Sequence, residues 1–433
     1  MVAGLLDVLI IAALFVMTYV WQFGSWPGFY LPMTWLLEIW VVFSYVIGRY
    51  TQPEVGAPFA PLASLGGTAI VTVLTGLVYL AYNWIVHQAL GQLDTRAFLL
   101  PLLFWVALLS YIAQAALDRF AAPRYVRPLR WLVVGRAELT KRLQDWSELR
   151  PTQVPLNLCL ADHCSIEELE LVDGVIVDRP EGLSAEDQAA LVGAMGRGLP
   201  VLSPRLWCEA FLQRLPPELV NDTDLFHGQF VLPDQGLQVR IKRLGDGAVS
   251  AILLLLASPL LLLAGSLIWL QDRGPVFYSK WRSGLGGRPF RIWKLRTMRT
   301  DAERQGAQWV QQRDPRITPL GRLLRLTRID ELPQLVAVLR GEMSLIGPRP
   351  ERPEFDEELE QQIPHYRLRY WLRPGLSGWA QVNYPYGASL QDARNKLSFD
   401  LFYLRHFSFW LDLLILLKTM RLVFNARGAL PQG

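Results

Sequence analysis

Two adjacent carboxylates, Asp330 and Glu331, are the residues of this chain best suited to covalent or metal chemistry. Arg325 and Arg328 lie just upstream, and an apolar run at helical spacing follows over residues 332–340. The pattern predicts that the acid pair lies at or just before a helix N-terminus, where free N–H groups and the helix dipole favour anions. A carboxylate kept ionised among arginines at such a place is a candidate nucleophile or metal ligand.

Pro333 agrees with this placement, because proline is tolerated in the first turn of a helix and not deeper inside it. Gly341 follows the apolar run as a stop signal. On spacing alone, an ordinary helix cap with surface charges is still the simpler interpretation. A catalytic role therefore depends on which other groups the chain brings to the pair.

Further basic residues lie in stretches that could bind phosphate. Period-two spacing in the strand-like stretch 289–298 predicts that Lys294 and Arg296 share one face. Arg349 and Arg373 each lie in a loop with proline and glycine, and such a rigid loop can present a guanidinium for bidentate phosphate binding. Solvated basic faces and ordinary turns are the alternatives. Nucleic acid is a poorer partner, because the apolar stretches of this chain indicate a membrane protein.

The 433-residue chain is apolar and poor in charge, with 51% hydrophobic and 19% charged residues, and its 16 Trp suit membrane-interface anchoring. Four apolar stretches open it, the second marginal in length, and basic residues follow the fourth. By the positive-inside rule, four spans put both ends in the cytoplasm. We therefore predict a four-helix transmembrane bundle over residues 1–120. Its apolar stretches are Leu5–Phe23, Met33–Ile47, Leu65–Val86 and Phe98–Leu117.

Residues 121–228 alternate short apolar runs with helical patterns, which predicts a small Rossmann-like βαβ domain. The strand candidates are 131–134, 175–177 and 199–202, and the clearest helix candidate is Ala185–Gly196. Only Gly135 stands where a dinucleotide fingerprint needs three glycines, so we expect no bound nucleotide. The three cysteines have no paired spacing, which argues against a zinc site.

A fifth apolar run, 248–270, is long enough to span a membrane, but Ser258 and Pro259 break it near the middle. Both flanks are basic, so we predict a re-entrant helix over about 244–271 that dips into the membrane, bends and returns. An ordinary span with a proline kink is the alternative. Together these features predict a multidomain α/β membrane protein whose third domain, 229–433, is an α/β monotopic domain with the re-entrant helix.

Seven stretches in the C-terminal region resemble the bacterial sugar transferase family, the monotopic phosphoglycosyl transferases that begin polysaccharide and glycoconjugate synthesis. They occur in order between Val239 and Phe424, which makes the resemblance far more specific than any one motif. The bundle and the βαβ domain resemble the large members of the family by architecture only. The seven stretches are residues 280–284, 290–298, 314–318, 328–334, 341–350, 373–381 and 400–403.

The resemblance implies a two-step transfer at the acid pair. Asp330 would attack the β-phosphate of a UDP-sugar and release UMP, and undecaprenyl phosphate would then displace the aspartate. Glu331 would assist with the proton of the acceptor or with the metal, and Mg²⁺ at the two acids would neutralise the diphosphate. The residues implied to hold phosphates are Lys294, Arg296, Arg325, Arg328, Arg349 and Arg373.

On this resemblance we predict an enzyme of the bacterial inner membrane with its catalytic domain on the cytoplasmic face. Its partners would be a UDP-sugar, undecaprenyl phosphate and the lipid bilayer, with no nucleic acid; a homodimer is compatible with the resemblance. A non-catalytic membrane scaffold of a polysaccharide assembly system is the main alternative, and a multi-span transporter is a weaker one. Neither the sugar nor the pathway, whether exopolysaccharide, capsule or O-antigen, can be read from the sequence.

Overall fold

The structure is a computed structural model that divides into two compact units, residues 1–125 with 420–425, and residues 126–419 with 426–433. The residues whose placement it describes are 2–27, 31–47, 49–50, 60–86, 95–120, 129–148, 156–161, 169–221, 223, 225, 230, 237–302, 314–385, 387 and 389–424. Both predicted domain boundaries, at 120/121 and 228/229, adjoin or fall on residues outside these ranges. The division into three domains therefore stays a prediction.

The first unit contains four apolar helices, as the sequence predicts. They are α1 (Val2–Phe23), α2 (Leu31–Ile47), α3 (Ala60–Val86) and α4 (Thr95–Phe120). Within the described residues, α1 and α4 are long and apolar enough to cross a membrane, whereas the apolar parts of α2 and α3, Met33–Ile47 and Leu65–Ala81, are shorter. Their core contains Ile11, Phe15, Leu36, Trp40, Val71 and Phe98.

A buried polar cluster lies inside this first unit, and the sequence analysis did not identify it. The carboxylate of Asp7 and the guanidinium of Arg49 are 3.2 Å apart, and each side chain is only 2% exposed. Asp7 also accepts hydrogen bonds from Trp40 Nε1 at 3.1 Å and from Tyr50 Oη at 2.8 Å. Ser110 donates to Asp7 and accepts from Arg49. The cluster thereby ties α1, α2 and α4 together.

The second unit begins with a four-stranded parallel sheet in the order β2-β1-β3-β4. The strands are β1 (Leu129–Val134), β2 (Leu156–Ala161), β3 (Gly174–Val177) and β4 (Val201–Leu202), with α5 (Ala137–Glu148) and α6 (Ala185–Gly196) between them. The three predicted strands and α6 are confirmed. β2 was missed because this edge strand is mostly exposed and lacks a continuous run of β-branched residues. Arg136 and Asp178 form a 2.9 Å ion pair at the carboxyl ends of β1 and β3.

Two residues on the N-terminal side of the predicted boundary at residue 228 pack with the C-terminal region. After the short helix α7 (Pro204–Trp207), Leu215 and Val220 pack into a cluster with residues far downstream, such as Phe399 and Trp379. Leu215 N–H donates to the Ser398 carbonyl at 2.8 Å. Residues just before the predicted boundary therefore share a core with the C-terminal region, which sequence reasoning could not detect because these contacts span about 180 residues of chain.

Helix α8 (Leu237–Asp272) corresponds to the predicted re-entrant helix and begins several residues earlier than expected. It is assigned as one continuous helix of 36 residues with Pro259 inside it. Ser258 Oγ donates to the Leu255 carbonyl at 2.7 Å, the kind of side-chain bond that accompanies helix bending. Its apolar composition and length suffice for a membrane crossing.

The two ends of α8 are attached to the rest of the second unit, whereas much of its middle is exposed. Near the N-terminal end, Asp246 accepts a hydrogen bond from Ser344 Oγ at 2.6 Å. In the C-terminal half, Ala264 and Ile268 are buried in a cluster with Leu295 and Leu324. The intervening turns carry exposed leucines: Leu253, Leu255, Leu256, Leu260, Leu262 and Leu263.

The remaining elements pack around α8 and supply the site. An antiparallel hairpin pairs β5 (Phe277–Ser283) with β6 (Pro289–Leu295), and β7 (Ser344–Ile346) pairs in parallel with β8 (Gly375–Ser377). The helices are α9 (Pro319–Leu326), α10 (Leu335–Arg340), α11 (Pro353–Gln362), α12 (Trp379–Asn383), α13 (Leu390–Arg405) and α14 (Phe409–Phe424). Along β6, Phe290, Ile292 and Arg296 just beyond its end are buried and Lys294 is partly so, as the period of two predicts.

Candidate functional site

The acid pair lies just before a helix, as predicted, in a 3₁₀ turn. Residues Ile329–Gln334 form the 3₁₀ helix, and α10 begins at Leu335. The α-helix therefore starts three residues later than the apolar run from Leu332 indicates. A proline ring clashes with the carbonyl four residues earlier in an α-helix, so the chain takes the tighter turn until it has passed Pro333.

Both flanks of this turn are fixed by packing. Ile329 packs against the cluster of α8 and α9 residues, and Leu335 is fully buried at the start of α10. Arg328 enters the turn with φ +60°, a left-handed conformation that is uncommon for arginine. Asp330 and Glu331 are consequently buried, at 7% and 8% exposure, in a polar environment.

Glu331 is clamped by three cations that come from three segments of the chain. Its Oε1 accepts from Lys294 Nζ at 2.5 Å and from Arg349 at 3.0 Å, and its Oε2 lies 3.4 Å from Arg328. Burial pushes the pKa of Glu331 upward, but Lys294, Arg349 and Arg328 overcome this effect and hold the pKa well below its usual range. Glu331 is therefore ionised throughout the neutral range.

The pKa of Asp330 is shifted in the opposite direction from that of Glu331. Its Oδ1 is buried and has no hydrogen-bond partner within the described part of the chain. Burial and the negative charge of Glu331 raise the pKa of Asp330 to about 6, in spite of the opposing fields of Lys294, Arg325 and Arg328. A buried carboxylate oxygen without a donor, beside an excess of cations, suits a nucleophile that meets an anionic substrate.

The structure brings four of the six predicted phosphate-binding residues to the acid pair. Lys294, Arg328 and Arg349 contact Glu331 directly. Arg325 contributes to the electrostatic field at Asp330, and its Nε donates to Thr297 Oγ1 at 2.8 Å. Phosphate oxygens entering this cluster would meet guanidinium and ammonium groups already held in position.

For the other two predicted residues the structure shows contacts away from the acid pair, and their role in phosphate binding stays a prediction. Arg296 pairs with Asp272, the last residue of α8. The Nε of Arg373 donates to the Gly341 carbonyl at 3.2 Å, at the far end of α10 from the acid pair. Spacing could not separate these residues from the rest, because their direction depends on the packing of α8 and α10.

Two residues that support the site were missed as site residues. Arg369 donates to the backbone carbonyl of Arg349 at 2.9 Å and lies 3.1 Å from the carboxylate of Asp400, and both side chains are buried. This pair holds the loop from which Arg349 reaches Glu331. Asp400 belongs to one of the stretches that carry the family resemblance, and this was its only signal in the sequence.

The donor set for a metal ion is small. Within the described residues, no group of three or more His, Cys, Asp or Glu residues could hold a metal. The partnerless Oδ1 of Asp330 fits a magnesium ion that takes its other ligands from substrate phosphates and water. Glu331 fits less well, since both of its oxygens accept from cations. The predicted helix break at Ser258 and Pro259 lies in the exposed middle of α8 and not at the acid pair.

Comparison with known proteins gives a consistent set of relatives. Residues 237–426 match the family model described as bacterial sugar transferase. A UDP-N-acetylgalactosamine-undecaprenyl-phosphate N-acetylgalactosaminephosphotransferase of Aeromonas hydrophila is 40% identical over 258 residues, 59% of this chain and 60% of that protein. A UDP-glucose:undecaprenyl-phosphate glucose-1-phosphate transferase of Caulobacter vibrioides is 44% identical over 191 residues, 44% of this chain and 71% of that protein.

The matches do not extend over the whole of every relative. A UDP-glucose:undecaprenyl-phosphate glucose-1-phosphate transferase of Escherichia coli is 37% identical over 190 residues, 43% of this chain and 41% of that protein. The matched part therefore spans between about two fifths and seven tenths of these three relatives. Because the family match begins at residue 237, it contains the whole acid-pair cluster.

Proposed function

The chain belongs to the bacterial sugar transferase family, and on that premise we propose that it transfers a sugar-1-phosphate from a UDP-sugar to undecaprenyl phosphate. The observation that carries the proposal is the pairing of Asp330, whose buried Oδ1 has no hydrogen-bond partner in the described part of the chain, with a Glu331 that holds three cations. The relatives are named for transfer of different sugars, so the proposed donor carries glucose, N-acetylgalactosamine or a similar sugar.

The first step is an attack of an Asp330 carboxylate oxygen on the β-phosphorus of the UDP-sugar. The new bond joins that oxygen to phosphorus, and the bond from phosphorus to the bridging oxygen breaks, so that UMP leaves with the bridging oxygen. In the second step, an oxygen of undecaprenyl phosphate attacks the same phosphorus and Asp330 leaves as a carboxylate. Covalent catalysis thereby divides one transfer between a soluble and a lipid substrate into two steps at one site.

The cations give this sequence its electrostatic support. Lys294, Arg328 and Arg349 are held by Glu331 before any substrate arrives, so little reorganisation is needed when phosphate oxygens enter. The low pKa of Glu331 makes it a weak proton acceptor, which favours a role in holding these cations over one in deprotonating the acceptor. Arg369, itself paired with Asp400, donates to the backbone carbonyl of Arg349 and so holds the loop that carries it.

We also propose that the reaction uses Mg²⁺. When bound, the ion would neutralise charge on the diphosphate as UMP departs. Asp330 would hold it together with substrate oxygens, and Glu331 could join only after releasing one of its cations. Soaking the metal alone into the protein should accordingly give weak binding, because most of its ligands come from the substrate.

The proposed location is the cytoplasmic face of the bacterial inner membrane, with α1–α4 spanning it and α8 re-entering it. Three observations support the re-entrant form. Both ends of α8 contact the same unit, its exposed middle is leucine-rich, and Ser258 and Pro259 lie in that middle. A bend there would return the chain to the side from which it entered, beside the phosphate of a membrane acceptor.

Intact-protein mass spectrometry tests the proposal directly. The full chain in lipid nanodiscs is incubated with UDP-sugars and Mg²⁺ in the absence of acceptor. We expect a mass increase of one phosphosugar that disappears when undecaprenyl phosphate is added. Asp330→Asn should abolish the adduct, whereas the control Asp301→Asn, at an exposed aspartate nearby, should leave it unchanged.

The opposite result would favour the non-catalytic scaffold. That result is a folded protein that forms no adduct with any UDP-sugar and releases no UMP when acceptor is present. An adduct that persists in Asp330→Asn would instead agree with the transfer reaction but show that another residue is the nucleophile.

A further inference from the structure

One face of the β5–β6 hairpin carries large aromatic side chains into solvent. We call it the outer face and define it by Phe277, Trp281, Arg291 and Trp293. The strand register puts Trp281 opposite Arg291, and alternate residues of a strand share a face, so these side chains point the same way. Phe277, Trp281 and Trp293 are 52%, 56% and 38% exposed.

The opposite face of the hairpin is packed against the protein except at Tyr278, which is 38% exposed. Phe290 and Ile292 are buried against Ala337, Val338 and Met343. Lys294, on the same face, reaches Glu331. The hairpin is therefore fixed against the body of the protein, and the exposure of the aromatic side chains is a constant feature of its other surface.

The chemistry of the outer face is that of a membrane interface. Residues 277–295 contain no acidic residue, and of the cations in the two strands Arg291 lies on the outer face. The Arg291 guanidinium lies 5.2 Å from the Trp293 ring centroid, so a cation and an aromatic ring form one amphipathic unit. Trp side chains and basic residues together are enriched where apolar chains meet lipid head groups, and an arginine at that level favours anionic lipid phosphate.

The outer face also continues from the apolar helix α8. Only four residues separate Asp272 at the end of α8 from Phe277 at the start of β5. At that end, Trp269 is exposed and the Arg273 guanidinium lies 4.1 Å from its ring centroid. The same pairing of arginine with tryptophan thus appears on the last turn of α8 and on the hairpin that follows it.

We propose that the outer face of the β5–β6 hairpin docks on the head-group layer of an anionic lipid bilayer. Trp281, Trp293 and Phe277 enter the interface, and Arg291 binds lipid phosphate. Since Lys294 projects from the other face of the same strand, docking holds the acid pair about one sheet layer, roughly 10 Å, from the membrane surface. The inference rests on the proposed membrane attachment of α8 and is independent of the proposed chemistry.

Site-directed spin labelling of the full chain in nanodiscs with anionic lipid tests the docking surface. A background with Cys159 and Cys164 replaced by serine receives a nitroxide label at Trp281→Cys. Leu256→Cys, in the exposed middle of α8, marks the membrane, and Glu357→Cys, exposed on α11, marks water. Accessibility to oxygen and to a water-soluble nickel complex is then measured at each site.

We expect the ratio of oxygen to nickel accessibility at position 281 to be several-fold higher than at 357 and to approach the ratio at 256. A water-like ratio at 281 together with a lipid-like ratio at 256 would overturn the inference while leaving the membrane attachment of α8 intact. Spin–spin broadening at 281 that vanishes on dilution with unlabelled protein would also overturn it, because a second copy would then cover the face. Phe277→Cys repeats the test if the Trp281 variant fails to fold.

Discussion

Each unit of this protein buries carboxylates beside arginine, and the two clusters differ in charge balance. In the first unit, one carboxylate, Asp7, pairs with one guanidinium, Arg49, so that the charges balance. Each of the two has further polar partners. In the second unit, the single carboxylate of Glu331 contacts Lys294, Arg328 and Arg349, and an oxygen of its neighbour Asp330 has no hydrogen-bond partner among the described residues.

The difference separates a structural cluster from a binding site. A balanced, hydrogen-bonded pair such as Asp7 and Arg49 leaves little for a ligand to add, so its role is to hold helices together. The acid pair is surrounded by more positive charge than it neutralises, and a buried carboxylate with a raised pKa is poorly stabilised without a substrate. Four predictions test this contrast.

The largest effect should follow from Asp330→Asn. We expect adduct formation and turnover to fall by roughly four orders of magnitude or more, because the nucleophile is lost. Thermal stability should stay the same or rise slightly, since a buried carboxylate with a raised pKa is replaced by a neutral group. Rates come from mass spectrometry and Tm from scanning fluorimetry; a clear drop in Tm would mean that Asp330 belongs with the structural pair.

Arg49→Met should have the reverse effect of Asp330→Asn, a loss of stability and not primarily of turnover. Removing one partner leaves a buried Asp7 charge uncompensated and should destabilise the first unit by roughly 3–5 kcal/mol. The double variant Asp7→Asn with Arg49→Met should recover part of this loss, because no lone charge remains. Protease sensitivity of the first unit in nanodiscs provides the measurement, and an unchanged cleavage rate would contradict the structural assignment.

Glu331→Gln should change both the rate and its pH dependence. In the native protein, adduct formation should fall about tenfold per pH unit below the Asp330 pKa of about 6, because protonation removes the nucleophile. The variant lacks the negative charge that helps to raise this pKa, so its acidic limb should move to lower pH. At pH 8 its rate should be roughly 10²-fold lower, since the cations lose their anchor.

The control for this experiment is Asp330→Glu, which keeps the charge of both acids. Single-turnover adduct rates between pH 5 and 8 supply the profiles. An acidic limb that stays in place in Glu331→Gln would show that burial alone sets the Asp330 pKa.

The smallest effect should follow from Arg373→Ala. Its guanidinium donates to Gly341 at the opposite end of α10, so we expect less than about a tenfold loss in adduct rate. Arg349→Ala is the matched comparison and should lose roughly 10²-fold, because it removes a donor from Glu331. Both adduct rates are measured at saturating donor. Equal losses in the two variants would show that Arg373 contributes to the site as much as Arg349 does.

Elements with strong local signals could be predicted from the sequence. The helix Ala185–Gly196 and most of the predicted strand 289–298, observed over Pro289–Leu295, agree with the structure because burial on one side imposes a period on neighbouring residues. β2 could not be predicted, since an edge strand that is largely exposed carries a weak pattern. The start of α10 was misplaced because Pro333 shortens the helix that its apolar neighbours suggest.

The sequence by itself determined the apolar helices, the order of the motifs and the identity of the two acids. Only the tertiary structure decided which cations reach them. Lys294, Arg328 and Arg349 converge on Glu331, whereas Arg296 and Arg373 bind elsewhere. Spacing along the chain controls side-chain direction within one helix or strand, but the meeting of separate segments depends on how α8, the hairpin and α10 pack.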